Sequence, residues 1–199
     1  MSKSVVLGCL VVVLGGLLVV GVMAAGQYNK LTAADQAVSA SWAQVENVYQ
    51  RRADLIPNLV ETVKGAANFE RETLEAVIKA RASATQVKLD ANAIKDPEAF
   101  RKFQEAQDSL SSALGRLLVT VEQYPNLKAN QNYLDLQSQL EGAENRIAVE
   151  RGRFNEATQN YNTLRRSFPT VIVASFAGFK ERPYFHATAG AETAPKVKF

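Results

Sequence analysis

Apolar residues recur at helical spacing along most of this chain. The clearest stretch is 34–64, where two rows of residues repeat every seventh position and lie four residues apart. Adjacent rows of this kind form the apolar face of a helix that packs in a bundle. One row contains Arg52, and a charge on a buried helical face needs a partner. The rows are Val38, Val45, Arg52 and Leu59, and Trp42, Tyr49, Ile56 and Val63.

An uncharged segment of 21 residues, Val5–Ala25, precedes this stretch. At ~1.5 Å per residue a helix of this length spans roughly 30 Å, the thickness of a bilayer core. We therefore expect residues 1–27 to form a transmembrane anchor; a cleaved signal peptide is the alternative. Lys3 favours a cytoplasmic amino terminus and an external domain.

Neither glycine nor proline occurs between Gly26 and Pro57. The anchor and the first bundle helix should therefore be nearly continuous, to about Ala67. Pro57 removes one backbone hydrogen bond, which predicts a kink near Ala53–Pro57. A complete break at Pro57 is the alternative.

Three further helices are predicted. Asp96-Pro97-Glu98 is a strong helix start, and Pro125 and Pro169 each end a helix. The last helix has six apolar residues at successive heptad positions,. The predicted fold is all-α: a transmembrane helix followed by an antiparallel long-helix bundle over residues 28–169. The three helices are expected at about 69–89, 97–124 and 130–168.

Helix lengths predict which residue faces Arg52. Arg52 lies 14 residues before the turn near position 66, and Glu144 lies 14 residues after the helix start near position 130. In an up-down-up-down bundle both are roughly 21 Å below the far end. We therefore expect Arg52 to pair with Glu144 or with Glu141; the alternative is that Arg52 extends to the surface.

The same count places Phe168 level with residue 28, where the anchor leaves the bilayer. Thr170–Phe179 is apolar but too short to span a membrane. We expect Thr170–Phe179 either to contact lipid or to cap the base of the bundle. Residues 170–186 are expected to be an apolar membrane-proximal segment, and 187–199 a disordered tail. The residues expected to face the membrane are Tyr28, Lys30, Phe168, Val171, Ile172, Phe176 and Phe179.

Several amide side chains occur in strong helices, although asparagine is a poor helix former. They are interpreted as interhelical hydrogen-bonding groups, either purely structural or forming a polar binding seam. The candidates are Gln44, Asn58, Asn145, Asn155 and Asn162.

Composition gives little sign of catalysis. The chain has one cysteine, one histidine and a net charge of +3. A di-iron site in a helical bundle needs two Glu-x-x-His pairs, and His186 lies outside the bundle. No phosphate-binding glycine loop, zinc spacing or aromatic-rich basic patch is present in the sequence. We expect no enzymatic activity, no metal or cofactor, and no nucleic-acid partner.

A series of short blocks in a fixed order resembles the LemA family of bacterial membrane proteins. The resemblance implies a single amino-terminal membrane helix, an antiparallel helical domain, no established enzymatic activity and, by analogy, a part in membrane organisation. The blocks are Tyr28-Asn29, WAQVE at 42–46, QRRADLIPNLV at 50–60, YPNLKAN at 124–130, ENRIA at 144–148, RFN at 153–155, Tyr161-Asn162 and Phe168-Pro169.

These observations predict a scaffold anchored in the bacterial inner membrane, with the bundle on the outer or periplasmic side. Its expected partners are the lipid bilayer, further copies of itself and an unidentified membrane protein. The alternative function is an accessory or regulatory subunit of a membrane enzyme such as a protease.

Overall fold

In a computed structural model of the chain, residues 3–65, 69–87 and 93–186 are described. They form six α-helices, and the prediction of an all-α protein with a long apolar amino-terminal helix is confirmed. A single 3₁₀ turn, Ala93–Lys95, precedes the third helix. The helices are α1 (Lys3–Lys64), α2 (Arg71–Gln86), α3 (Pro97–Val121), α4 (Pro125–Lys128), α5 (Gln131–Arg166) and α6 (Thr170–Phe176).

Helix α1 runs through Pro57 without a break and is 62 residues long. The prediction of a continuous first helix is confirmed, and a break at Pro57 is excluded. Proline cannot donate to the carbonyl four residues back, which here belongs to Ala53. Arg81 of α2 supplies the missing donor, with its Nε 2.8 Å from the Ala53 carbonyl oxygen. A neighbouring helix therefore satisfies the backbone group that Pro57 leaves free.

Side-chain caps fix the starts of α3 and α5. The Asp96 carboxylate accepts a hydrogen bond from the Glu98 amide at 2.9 Å. The Asn130 side chain accepts from the amides of Asn132 and Tyr133. Helix α3 ends at Val121 rather than at Tyr124, and the short α4 begins at Pro125, where proline suits a first helical position,.

The core consists of two apolar clusters along the bundle axis, and the eight predicted core positions of α1 are buried. The distal cluster joins α1, α2, α3 and α5 far from the apolar end of α1. The proximal cluster lies nearer that end. Distal members include Ile56, Leu59, Val77, Leu117 and Leu140; proximal members include Leu31, Trp42, Phe100, Phe154 and Phe185.

The chain returns to the membrane-proximal part of α1 after α5. The Thr170 hydroxyl at the start of α6 donates to Gln27 Oε1 at 2.9 Å. Position 168 therefore lies near position 28, as the count of helical residues predicts. After α6, residues 179–186 extend along the bundle without helical structure. We refer to residues 179–186 as the strap.

The segment predicted over 170–186 consists of two parts in the structure. Residues 170–179 contact the base of the bundle, but Arg182 and Phe185 of the strap are buried against it. The strap has no apolar periodicity, and backbone hydrogen bonds to α5 side chains hold it in place. The predicted disordered tail, 187–199, lies outside the described residues.

The amino-terminal part of α1 is the one described helix long and apolar enough to cross a membrane. Its apolar side chains do not pack on the bundle: residues from Leu10 to Met23 are mostly exposed, and Val12 is 74% exposed. An apolar helical surface of this length without a protein contact is typical of a lipid-facing span.

Candidate functional site

A polar layer separates the two apolar clusters, and Arg52 lies at its centre. Arg52 is 1% exposed, and its Nη1 donates to Glu144 Oε1 at 2.6 Å and to the Ser111 hydroxyl at 2.7 Å. Its Nη2 donates to Gln107 Oε1 at 2.6 Å. One α1 side chain is thereby tied to both α3 and α5. Such a layer fixes the axial register of the helices, since a shift of one turn would leave the guanidinium buried without acceptors.

The partner of Arg52 is Glu144 and not Glu141. Glu141 is exposed and accepts instead from Gln137 at 2.9 Å, within α5. It precedes Glu144 by three residues, which turns its side chain about 60° around the helix and places it nearly one turn away. Glu144 is 39% exposed, so the pair has one buried and one hydrated member.

Tyr49 lies one turn before Arg52 and borders the same layer. The Arg52 guanidinium carbon is 5.2 Å from the centre of the Tyr49 ring. The Tyr49 hydroxyl is buried, and no described residue accepts or donates a hydrogen bond to it. Burial raises the pKa of Tyr49 to about 12, against the opposing effect of the nearby Arg151 and Arg52.

Two asparagines of α5 hold the strap by its backbone. The Asn162 amide donates to the Arg182 carbonyl at 2.9 Å and accepts from the Arg182 N–H at 3.0 Å. Asn155, two turns earlier, makes the same two bonds to Phe185, each 2.9 Å. These contacts do not involve the strap's side chains. Helix α5 therefore holds this extended segment by its backbone.

Of the five candidate amides, two make structural hydrogen bonds, although not between helices. Asn155 and Asn162 bind the strap rather than another helix. Gln44, Asn58 and Asn145 are exposed and contribute to no such seam. Asparagine content alone does not distinguish a residue that holds an extended segment from one on the surface.

A second buried arginine, Arg182 of the strap, pairs with Asp35 of α1. Arg182 is 1% exposed, and its Nε is 3.1 Å from Asp35 Oδ1, with Nη2 bonded to the same oxygen. The sequence analysis missed this pair. A signal was present, because Asp35 lies one heptad before Trp42 and so belongs to the same buried row of α1.

Phe185 completes an aromatic cluster that closes the proximal core. Its ring centre is 4.7 Å from that of Phe100, 5.4 Å from that of Phe154 and 6.2 Å from that of Trp42. The strap is thus part of the core, and it packs with α1, α3 and α5 around this cluster.

The base of the bundle presents an apolar surface next to the exposed part of α1. Phe168 is 83% exposed and Phe176 is 91% exposed, while Ile172 is 49% exposed. Val171 and Lys30 are also exposed. Tyr28 and Phe179 contact each other edge to face, with ring centres 5.6 Å apart. Exposed phenylalanines beside a candidate membrane span are unusual in a water-facing surface and suit a lipid interface.

Within residues 3–65, 69–87 and 93–186, no group of three or more histidine, cysteine, aspartate or glutamate side chains could hold a metal ion. His186 ends the strap on the surface, where its carbonyl accepts from Gln104 and Arg151. Its described contacts are made by the backbone.

The chain is similar in sequence to several known proteins. The chain is 27% identical over 183 residues to magnetosome protein MamQ of Magnetospirillum gryphiswaldense, covering 84% of this chain and 67% of that protein. It is 26% identical to MamQ 2 of Paramagnetospirillum magneticum, with the same coverage. Protein LemA of Metamycoplasma hominis is 24% identical over 149 residues, or 75% of this chain and 64% of that protein. The LemA family model matches residues 41–199, and the chain belongs to the LemA family.

Proposed function

We propose that this protein is a membrane-anchored scaffold whose bundle stands on the lipid surface. The observation that carries the proposal is the position of α6. Its first residue, Thr170, bonds to Gln27, where the exposed apolar part of α1 ends, and its Ile172 and Phe176 are exposed. A spanning helix and an interfacial helix at one level give the bundle two membrane contacts.

Two contacts restrict the tilt of the bundle relative to the bilayer. A single continuous helix leaves a rigid domain free to lean, because the helix can tilt in the membrane at low cost. An interfacial helix at its base opposes that leaning. The long α1 then projects the distal end of the bundle at a fixed height, which suits a protein that positions partners relative to a membrane.

Self-association is the second part of the proposal. Gly21 and Ala25 have the spacing of close-packing membrane helices. A Cβ added at Gly21 meets nothing within 4 Å, so that face of α1 is open to a second copy. The magnetosome proteins named above lend support by analogy to a role in membrane organisation. The proposed location is a bacterial inner membrane, with the amino terminus in the cytoplasm and the bundle on the outer or periplasmic side.

Fluorescence quenching tests the membrane contact. The full chain is reconstituted into vesicles that contain bromine-labelled lipids, as the Phe176→Trp variant and as a matched Leu134→Trp control on the distal part of α5. Spectra are compared with the parent, whose single tryptophan is the buried Trp42. Strong quenching at position 176 with little at 134 supports the proposal. Equal, weak quenching at both positions contradicts it.

Crosslinking in native membranes followed by native-size separation tests the scaffold. A homomeric ring or array is the expected product. A stoichiometric complex with one membrane enzyme supports instead an accessory or regulatory subunit, for example of a protease.

A further inference from the structure

A long cleft lies on the side of the bundle, between α1, α2 and α3. Its volume is about 450 Å³, and the scaffold proposal makes no use of it. The α1 residues that line it extend from Trp42 to Ala53, which is about 16 Å of helix,. The cleft is therefore narrow for its length, and its shape suits one extended chain rather than a compact ring system.

The floor of this cleft is largely apolar. Trp42, Phe103 and Leu110 line it and are buried. The rings of Trp42 and Phe103 meet edge to face, with their centres 5.3 Å apart. The Gln107 amide also lies at the floor, but its Oε1 accepts from Arg52 and its Nε2 donates to the Ala84 carbonyl. A ligand therefore packs on the floor and makes its polar contacts at the rim.

One end of the rim is negative. Glu46 is exposed, and its carboxylate has no hydrogen-bond or ion-pair partner in the described part of the chain. Helix α2 ends beside it, since Thr85 and the C-cap residue Val87 line the same cleft. The last turn of α2 carries no basic side chain to offset the negative end of the helix dipole,. A carboxylate and a helix C-terminus at one place favour an ammonium group.

The other end of the rim is positive. Arg81 lines the cleft, and its Nε donates to the Ala53 carbonyl. The two terminal nitrogens of its guanidinium have no partner among the described residues, and such a pair of donors binds a carboxylate well,. Arg81 is level with Ala53, which follows Glu46 by seven residues on α1. The two charges are therefore about 10 Å apart along the helix axis,.

These features match a short extended peptide with free ends. Three or four residues span about 10–14 Å, with an ammonium group at one end and a carboxylate at the other. Glu46 lies roughly 30 Å of helix beyond Ala25, so the cleft is out of reach of lipid headgroups,. We propose that the cleft binds a zwitterionic peptide of three or four residues. Its amino terminus lies at Glu46, its carboxyl terminus at Arg81 and its apolar side chains on Trp42 and Phe103.

Calorimetric titration of the full-length protein in phosphatidylcholine nanodiscs tests the site. The ligand is the tripeptide Ala-Leu-Ala, used with free ends, with an acetylated amino terminus or with an amidated carboxyl terminus. The fluorescence of Trp42, the single tryptophan, reports entry into the cleft, because the peptide has no aromatic residue. The test variant is Glu46→Gln. The control, Glu72→Gln, removes an exposed carboxylate from the first turn of α2, outside the cleft. Arg81 is left intact, because it also bonds to the Ala53 carbonyl.

The free tripeptide should bind once per chain and change the Trp42 emission to saturation. Blocking either end should weaken binding by at least about tenfold, because each block removes a charge-assisted contact. Glu46→Gln should weaken binding of the free tripeptide by a similar factor, whereas Glu72→Gln should leave it unchanged. Absence of saturable binding, or equal binding of free and blocked peptides, overturns the proposal. An equal loss of affinity in the test and control variants overturns it as well.

Discussion

Arg52 and Glu144 form a hydrogen-bonded ion pair across the bundle, 2.6 Å between Nη1 and Oε1, although 92 positions separate them in the sequence. The two members are in different environments, since Arg52 is 1% exposed and Glu144 is 39% exposed. Removing Arg52 and removing Glu144 should therefore lower the free energy of unfolding by different amounts. The buried member cannot reach water when its partner is removed, but the exposed member can.

Glu144→Leu should destabilise the fold more than Arg52→Met does. The first leaves a buried guanidinium without its counter-charge, at about 3 kcal/mol, the lower end for a broken buried pair because Gln107 and Ser111 remain. The second leaves the buried Gln107 amide without its donor, at about 1–2 kcal/mol. Thermal melts followed by circular dichroism measure both, together with the double variant. Additive losses would exclude coupling, and Glu141→Leu is the control, with a change within about 0.5 kcal/mol.

The contribution of Arg81 to stability should be larger when Pro57 is present than when it is replaced. Its Nε donates to the Ala53 carbonyl that Pro57 leaves unpaired, so Arg81→Met should cost about 1–2 kcal/mol of unfolding free energy. In a Pro57→Ala background the new N–H can bond to that carbonyl, and the cost should fall by at least half. Melts of the four proteins measure this coupling. An undiminished cost in the alanine background contradicts it, and the exposed Lys79→Met is the matched control on α2.

Tyr49→Phe should stabilise the protein at neutral pH. The change removes a buried hydroxyl that has no partner among the described residues, and the free energy of unfolding should rise by about 1 kcal/mol. Tyr161→Phe is the contrasting variant, because the Tyr161 hydroxyl donates to the Lys180 carbonyl at 2.7 Å. It should lower stability by a similar amount, and a loss in both variants would contradict the role given to Tyr49.

Alkaline pH should destabilise the parent more than Tyr49→Phe. The pKa of Tyr49 is raised to about 12 in the folded protein by burial, whereas an unfolded tyrosine ionises near pH 10. Between these values the unfolded state binds fewer protons, so stability is full below pH 10 and falls as pH rises. The limiting slope is about 1.4 kcal/mol per pH unit for this residue. Denaturant unfolding at pH 9, 10 and 11 measures the difference; parallel curves would contradict it.

The helical part of this fold could be predicted from sequence, and the strap could not. Helices with a constant rise place Arg52 and Glu144 at the same height in the bundle. Counting residues from the helix ends is therefore enough to predict that they pair. Residues 179–186 have neither period nor cap signals, and their contacts depend on where α5 lies in three dimensions. Asp35 illustrates both cases. Its place in a buried row of α1 could be predicted from the sequence, but its partner could not, because Arg182 is 147 positions away in an extended segment.

The strap's attachment by backbone bonds leads to the last prediction. Asn162 bonds to both the N–H and the carbonyl of Arg182, and both contacts are buried. Asn162→Leu keeps a similar volume but leaves these two backbone groups unpaired. Hydrogen exchange of the Arg182 and Phe185 amides should therefore accelerate by about tenfold to a hundredfold, since each tenfold corresponds to about 1.4 kcal/mol.

Exchange along α1 and α3 should change far less than exchange in the strap, because most of the core remains packed. The exposed Asn145→Leu is the matched control on α5, where no acceleration in the strap is expected. Uniform acceleration through all helices would indicate that the strap and bundle unfold together. The two Asn162 bonds would then contribute to global stability rather than to local attachment of the strap.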